Sequence, residues 1–187
     1  MQNCVEIFLF KLFQTTGSCS NSRGDKLEAG AILGSDQYLT DANCVYSLWL
    51  HDNGNLILYK GLTSGRQNIW ASQTSGEGTA PYRLSMLAAD NHLVLTDKNG
   101  DTIWSTNVYG DKWKTGAYLA LQEDGNLVVY DGDRDAMWDS GTHGGKKSSK
   151  YGTGITHEKG KIYQTLNYFR FSLFYKLTIS ISWLNFV

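Results

Sequence analysis

Gln122-Glu-Asp-Gly-Asn-Leu-Val-Val-Tyr130 organises the chain, because two imperfect copies of it stand upstream. These are His51-Asp-Asn-Gly-Asn-Leu-Ile-Leu-Tyr59 and Ala88-Ala-Asp-Asn-His-Leu-Val-Leu-Thr96. An aromatic anchor follows each copy: Ile69-Trp70-Ala-Ser, Ile103-Trp104-Ser-Thr and Met137-Trp138-Asp-Ser. Trp70, Trp104 and Trp138 are spaced by 34 residues, a period at which one small supersecondary unit repeats about a shared core. Asn55 to Trp70 spans 15 residues against 12 in the other two units, which places three extra residues in a surface turn between Lys60 and Ile69.

Inside each unit, short alternating runs such as Tyr118-Leu-Ala-Leu121 and Leu127-Val-Val-Tyr130 are separated by Asp-Gly or Asn-Gly turns, and helical periodicity is absent. A unit this small cannot bury its own apolar face, so three must pack together, and one indole per unit suits a threefold axis. Twenty glycines, eleven tyrosines, six tryptophans and one proline in 187 residues agree with an all-β chain of many short strands. The length predicts one domain with appendages: an N-terminal extension at 1–23, the repeats at 24–143, and a basic linker with an aromatic-rich tail at 144–187. Ahead of the first repeat, Lys26-Leu-Glu-Ala-Gly-Ala-Ile-Leu33 is expected to supply an extra strand that closes the array beside Trp138.

As one straight strand, Gln122 to Tyr130 would stretch about 26 Å, so its polar groups converge only if the segment folds back. Glu123-Asp124-Gly125 is the predicted three-residue hairpin loop, with Gly125, Asn91 and Gly54 taking the left-handed position in the three units. Gln122 then faces Asn126 across the hairpin, and alternation puts Gln122, Asn126, Val128 and Tyr130 on one outer face with Asp124 at its rim. Leu121, Leu127 and Val129 point inward. Two amides, a carboxylate and a phenol around a small apolar patch suit a pyranose, whose vicinal hydroxyls both donate and accept.

Seventeen basic against eighteen acidic residues give a net charge of −1, which leaves no broad field for nucleic acid. The apolar run Cys4–Phe13 is broken by Glu6 and Lys11 and has no preceding basic residue, unlike a signal peptide. Arg170 and Lys176 leave too short an uncharged run near the other end for a membrane span, and Leu177–Trp183 alternates like a strand. Cys4, Cys19 and Cys44 lack paired spacing, so neither a zinc site nor a disulfide framework is implied. Asp131-Gly-Asp-Arg-Asp135 starts like a calcium loop, but Ala136 and Thr142 stand where glycine and glutamate are required, and a turn is expected instead. Glu123 and Asp124 are chain neighbours rather than carboxyls facing each other across a bond, and the four histidines have no metal spacing. A non-catalytic protein without metal or cofactor is the expectation.

Gln-x-Asp-x-Asn-x-Val-x-Tyr, matched at all five positions by residues 122–130, resembles the signature of bulb-type, monocot mannose-binding lectins. The similarity runs from about Asp25 through Thr142 and includes the lead-in Leu27-Glu-Ala-Gly. It implies a β-prism II of three four-stranded antiparallel sheets with threefold pseudo-symmetry, binding mannose-type glycans or glycoproteins. It further implies that Asp124 and Asn126 hold the axial 2-hydroxyl, Gln122 the 3-hydroxyl and Tyr130 the 4-hydroxyl, with Val128 against the ring carbons.

The other units depart from this pattern. His51 and Asn53 replace glutamine and aspartate in the first, where Asn55, Ile57 and Tyr59 are kept, so a weaker or altered carbohydrate site is expected there. In the middle unit Asp90 and Val94 survive, but Ala88, His92 and Thr96 remove three groups together, and no working site is expected. Many members of the family staple the first unit with two nearby cysteines, whereas only Cys44 lies within residues 24–143, so packing alone is expected to hold this one. The resemblance leaves a homo-oligomer open. It also leaves a second reading, a scaffold that binds cytoskeletal or vesicle partners through the prism or through the Gly144–Lys150 linker and tail.

Overall fold

The computed structural model describes residues 19–89, 91–107 and 115–148, together with the backbone of 155–158 and 161–164. The expected strand at Leu177–Trp183, the apolar run Cys4–Phe13 and Asp90 lie outside the described residues. The three units are antiparallel meanders. Unit one runs through β3 (Tyr38–Thr40), β4 (Tyr46–Leu50), β5 (Leu56–Lys60) and β6 (Gln67–Ala71); unit two uses β7 (Arg83–Leu87), β8 (His92–Thr96) and β9 (Thr102–Ser105); unit three uses β10 (Tyr118–Leu121), β11 (Leu127–Tyr130) and β12 (Ala136–Asp139). Each sheet has four prism strands, in the orders β3-β4-β5-β6, β2-β7-β8-β9 and β1-β10-β11-β12, where β1 is Lys26–Glu28 and β2 is Ile32–Gly34. The middle sheet is lengthened by β13 (Ile155–Glu158), which pairs at Ile155 with Ser105, and by β14 (Lys161–Gln164) beyond it.

Strand alternation decides what the prism buries. Leu27, Leu119, Val129 and Trp138 lie side by side across the third sheet, Leu33, Leu84, Leu95 and Trp104 across the second, and Leu39, Leu48, Leu58 and Trp70 across the first. These rows meet in one core. At its centre the indoles of Trp70, Trp104 and Trp138 pack edge to face in all three pairs, with centroids 5.6, 5.7 and 5.9 Å apart. That arrangement sets the positive edge of each ring against the negative face of the next, worth about 0.5–1.5 kcal/mol per pair beyond the area buried.

Two expectations are corrected. The Lys26–Leu33 segment does not close the array beside Trp138. It splits at Gly30 (φ 80°) into β1, which pairs with β10 on the edge away from β12, and β2, which pairs with β7. The split lets Leu27 and Leu33 enter two different rows of the core. The cysteines are corrected too: Cys19 and Cys44 form a disulfide with Cα atoms 6.1 Å apart. Hydrogen bonds from Arg23 N–H to Tyr38 O (2.9 Å) and from Thr40 N–H to Gly24 O (2.9 Å) lay the chain after Cys19 along β3, which brings it to the turn holding Cys44. Packing is therefore not the sole constraint; a cross-link over 25 residues adds about 3 kcal/mol in the chain-entropy account.

Candidate functional site

The third hairpin closes as its sequence predicts. Gln122 N–H donates to Asn126 O and Gly125 N–H to Gln122 O, both at 2.9 Å, which leaves Glu123, Asp124 and Gly125 as the loop. Gly125 has φ 82°, and a Cβ there would stand 2.5 Å from the Tyr46 ring, so both conformation and space demand glycine. Asp124 Oδ1 accepts the Asn126 N–H at 2.9 Å, and the Asp124 carbonyl accepts the Gly145 N–H at 3.1 Å from the turn after β12. The loop is thus braced on both sides.

Asn126 is aimed by Ser140, the last residue of the third aromatic anchor, and by Thr142 two residues beyond it, neither of which the sequence reading assigned to the site. Its Oδ1 accepts from Thr142 N–H (3.1 Å) and from the Ser140 hydroxyl (3.1 Å). A backbone N–H can only donate, so the amide oxygen is fixed on that side and Nδ2 is turned away from it. Ser140 Oγ also accepts the Leu127 N–H (3.0 Å), and Thr142 Oγ1 donates to Gly125 O (2.7 Å); both hydroxyls are buried. The signal was present as Trp138-Asp-Ser-Gly-Thr142 and Trp70-Ala-Ser-Gln-Thr74, against Trp104-Ser-Thr-Asn-Val108 in the middle unit.

Beside this pair, Gln122 Nε2 donates to the Tyr130 hydroxyl at 2.7 Å, so the phenol proton remains to be offered outward. Gln122, Asn126 and Tyr130 are half-buried and Asp124 is exposed. Val128 shares the face but is only 3% exposed, so it contributes little apolar area itself. More comes from Tyr130 and from Tyr118, which stacks on it at 5.3 Å. Ala120, opposite Val128, keeps the floor low, and a cleft of about 250 Å³ opens from Gln122 and Tyr130 toward Lys26.

The first hairpin repeats the frame. His51 N–H donates to Asn55 O (3.0 Å), Gly54 N–H to His51 O (3.1 Å), and the Asn55 amide oxygen accepts from Ser72 Oγ and Thr74 N–H, both at 3.2 Å. His51 Nε2 lies 3.1 Å from the Tyr59 hydroxyl, in the place of the Gln122–Tyr130 bond. Asn53 Oδ1 accepts the Asn55 N–H at 3.0 Å while its Nδ2 donates to Ser75 (3.0 Å). Across from half-buried Ile57 stands Trp49 rather than alanine, stacked on Tyr38 at 4.1 Å. Burial, and secondarily the charge of Arg66, hold His51 below the ordinary histidine pKa, against the opposing pull of Asp36 and Asp52.

In the middle hairpin Asn91 takes the left-handed place (φ 54°), while Ala88 is exposed and His92 is buried where asparagine stands in the other units. Thr106 occupies the position of Ser72 and Ser140, and its hydroxyl is buried without a hydrogen-bond partner among the described residues. The Asp131 segment is a turn: Asp131 Oδ1 accepts the N–H groups of Asp133 (3.0 Å) and Asp135 (2.9 Å). Asp97 does the same for Asn99 (2.8 Å) and Asp101 (3.1 Å), and also accepts the Thr79 N–H at 3.1 Å. Burial raises its pKa, but these hydrogen bonds outweigh that and hold the carboxyl below its usual range. Among the described residues, three or more metal-ligating side chains nowhere cluster, and no helix is long and apolar enough to cross a membrane.

No protein-family model and no curated protein matches the chain. Solved structures do. A monomeric monocot mannose-binding lectin from Gastrodia elata is 32% identical, with a TM-score of 0.55, and the match covers 64% of this chain and 98% of that one. A lectin of Marasmius oreades is 28% identical over 64% of this chain and 92% of its own, with a TM-score of 0.54. The mannose-specific agglutinin of snowdrop (Galanthus nivalis), solved with methyl-α-D-mannoside, is 29% identical over 64% and 97%, with a TM-score of 0.51. A threefold prism built on indoles, a hairpin that keeps all five signature side chains, and near-complete coverage of a 32% identical relative place the chain in the monocot mannose-binding, bulb-type lectin family.

Proposed function

We propose that this chain is a carbohydrate-binding lectin that takes terminal α-mannose on the face of its third hairpin. The observation that carries the reading is the aimed Asn126 amide: with Oδ1 held by Ser140 and Thr142, its Nδ2 donors are left for a ligand next to the Asp124 carboxylate. A sugar hydroxyl set between them donates to Asp124 and accepts from Asn126. Gln122 and Tyr130, already joined, offer an amide oxygen and a phenol proton to the neighbouring hydroxyls. Hydrogen bonds to a charged group are worth about 1.5–3 kcal/mol each, yet water competes for every one, so a single shallow site of this kind binds in the millimolar range, about −4 kcal/mol. Useful avidity then requires several copies on one glycan surface.

The test is a glycan array and a methyl-α-D-mannoside titration of the wild type beside Asn126→Ala and the paired exchange Asp124→Asn, Asn126→Asp. Mannose-terminated glycans bind the wild type, and both variants lose that signal at least tenfold while unfolding as cooperatively as before. A wild type blind to mannose on a densely displayed array overturns the reading.

A further inference from the structure

The β5–β6 hairpin, three residues longer than its counterparts between the equivalent pairs Tyr59↔Asn68, Thr96↔Thr102 and Tyr130↔Ala136, does more than bridge two strands. It folds back at Gly61, whose N–H donates to Val45 O (2.7 Å) and whose carbonyl accepts the Ser47 hydroxyl (2.7 Å). Arg66 is thereby returned over the first sheet's outer face. Its guanidinium lies 4.1 Å from the Tyr59 ring centroid and 4.8 Å from that of Trp49. Among the described residues it has no ion pair and no hydrogen-bond acceptor. A planar cation resting on aromatic rings keeps its N–H edge available, and that edge matches the two oxygens of an acidic group.

At the position that faces the proposed ligand in the third hairpin, this face also lacks a carboxylate; its nearest ones, Asp36 and Asp52, lie near His51. Where the third face has the Asp124 carboxylate, the first has Asn53, whose oxygen is taken by Asn55 N–H. Trp49 Nε1 is buried and has no hydrogen-bond partner among the described residues. Still, the sugar-like frame persists: Asn55 is aimed by Ser72 and Thr74 as Asn126 is by Ser140 and Thr142, and Tyr59 keeps a nitrogen partner. Relative to the third face, where Lys26 rests over the Tyr118 ring at 5.2 Å, the first face lacks the Asp124 carboxylate and sets a guanidinium over two rings, with Asp36 and Asp52 near His51 at its edge.

We infer that the first face is a second binding site, selective for an acidic pyranoside whose carboxylate or sulfate engages the N–H edge of Arg66 while its hydroxyls meet Asn55 and Tyr59. This rests on reading the hairpin faces as sugar sites, but it does not need the third site to bind mannose. The experiment is a set of NMR titrations of isotope-labelled protein, following the Arg66 and Trp49 side-chain N–H signals. The probes are methyl β-D-glucuronoside, methyl α-D-glucoside 6-sulfate and methyl α-D-mannoside, run on wild type, Asn126→Ala, Arg66→Gln and Arg66→Lys.

Expected is that one or both acidic sugars shift the Arg66 and Trp49 signals in wild type and in Asn126→Ala alike. Arg66→Gln weakens that binding at least tenfold, and Arg66→Lys weakens it less, since it keeps the charge but not the planar edge. Binding by the glucuronoside alone assigns a carboxylate ligand, and by the sulfate alone a sulfated one. No shift with either acid overturns the inference, as does unchanged acid binding in Arg66→Gln. So does a gain of mannoside binding at the first face of Arg66→Gln, which would make the arginine a plug. Loss of mannoside binding everywhere with acid binding intact sinks only the third-site reading.

Discussion

In the third sheet Ala120 stands across from Val128, whereas in the first Trp49 stands across from Ile57. Around those pairs the two hairpins share their loop closure, their left-handed glycine and their clamped asparagine. The backbone frame is therefore separable from the chemistry it presents. One face is open and carries a carboxylate; the other is roofed by an indole and a guanidinium. The difference arises from outward-facing positions, among them Trp49 for Ala120, Tyr38 for Lys26, His51 for Gln122 and Asn53 for Asp124, and from one lengthened hairpin, so the core rows that hold the prism together need not change.

The frame itself is the place to strike hardest. Ser140→Ala with Thr142→Val strips hydroxyl partners from Leu127 N–H, Gly125 O and Asn126 Oδ1 in a buried position, and at about 1–3 kcal/mol per stranded group the expected loss of stability is roughly 3–5 kcal/mol by urea unfolding. Mannoside binding falls with it, because Asn126 is no longer aimed. Ser72→Ala with Thr74→Val removes the same bonds from the first hairpin. It costs a similar amount of stability and leaves mannoside binding within twofold. Equal losses of mannoside binding in the two double variants would break the distinction between the faces.

Much of this was legible beforehand, and the reason is periodicity. Strand alternation assigned Leu127 and Val129 inward and Gln122, Asn126 and Tyr130 outward, and the left-handed positions at Gly54, Asn91 and Gly125 followed from loop length. What periodicity cannot give is contact between segments that do not repeat. Cys19 precedes the repeats, and only the backbone ladder beside β3 reveals its partner. The split of the Lys26–Leu33 segment depends on which sheet edges are vacant. Spacing located three extra residues before Ile69 but could not show that they turn Arg66 over the sheet. Ser140 and Thr142 are a different case: both were visible in the repeat, yet their buried hydroxyls look like small packing residues until the hydrogen bonds are drawn.

A smaller step tests the chemistry alone. Asp124→Asn gives the third face the residue found at Asn53, replacing a charged acceptor by an amide, and is expected to weaken mannoside binding about tenfold, near 1.4 kcal/mol. The converse, Asn53→Asp, changes mannoside binding less than twofold, because a neutral mannoside gives the Arg66 edge no acidic group to engage and Trp49 still stands where the third face has Ala120. Strong mannoside binding created at the first face by Asn53→Asp would mean that one carboxylate, rather than the roof, separates the two sites.

The smallest effect is one of pH, and it belongs to the first face only, since Gln122 does not titrate. Burial first, then Arg66, hold His51 below its unfolded value of about 6.5, so the unfolded chain takes up a proton before the folded one does. The stability contributed by neutral His51 is therefore complete above about pH 6.5 and declines as pH falls from there through the folded pKa. Half-exposed and screened by water, the group supports only a slight change. Wild type measured against His51→Gln by urea unfolding should show a difference that is flat at pH 7 to 8 and shifts against the wild type toward pH 5. Arg66→Gln should raise the His51 pKa in an NMR titration by removing a neighbouring cation, even though Asp36 and Asp52 already pull upward. A His51 that titrates at or above the free histidine value would show that neither burial nor Arg66 governs this face.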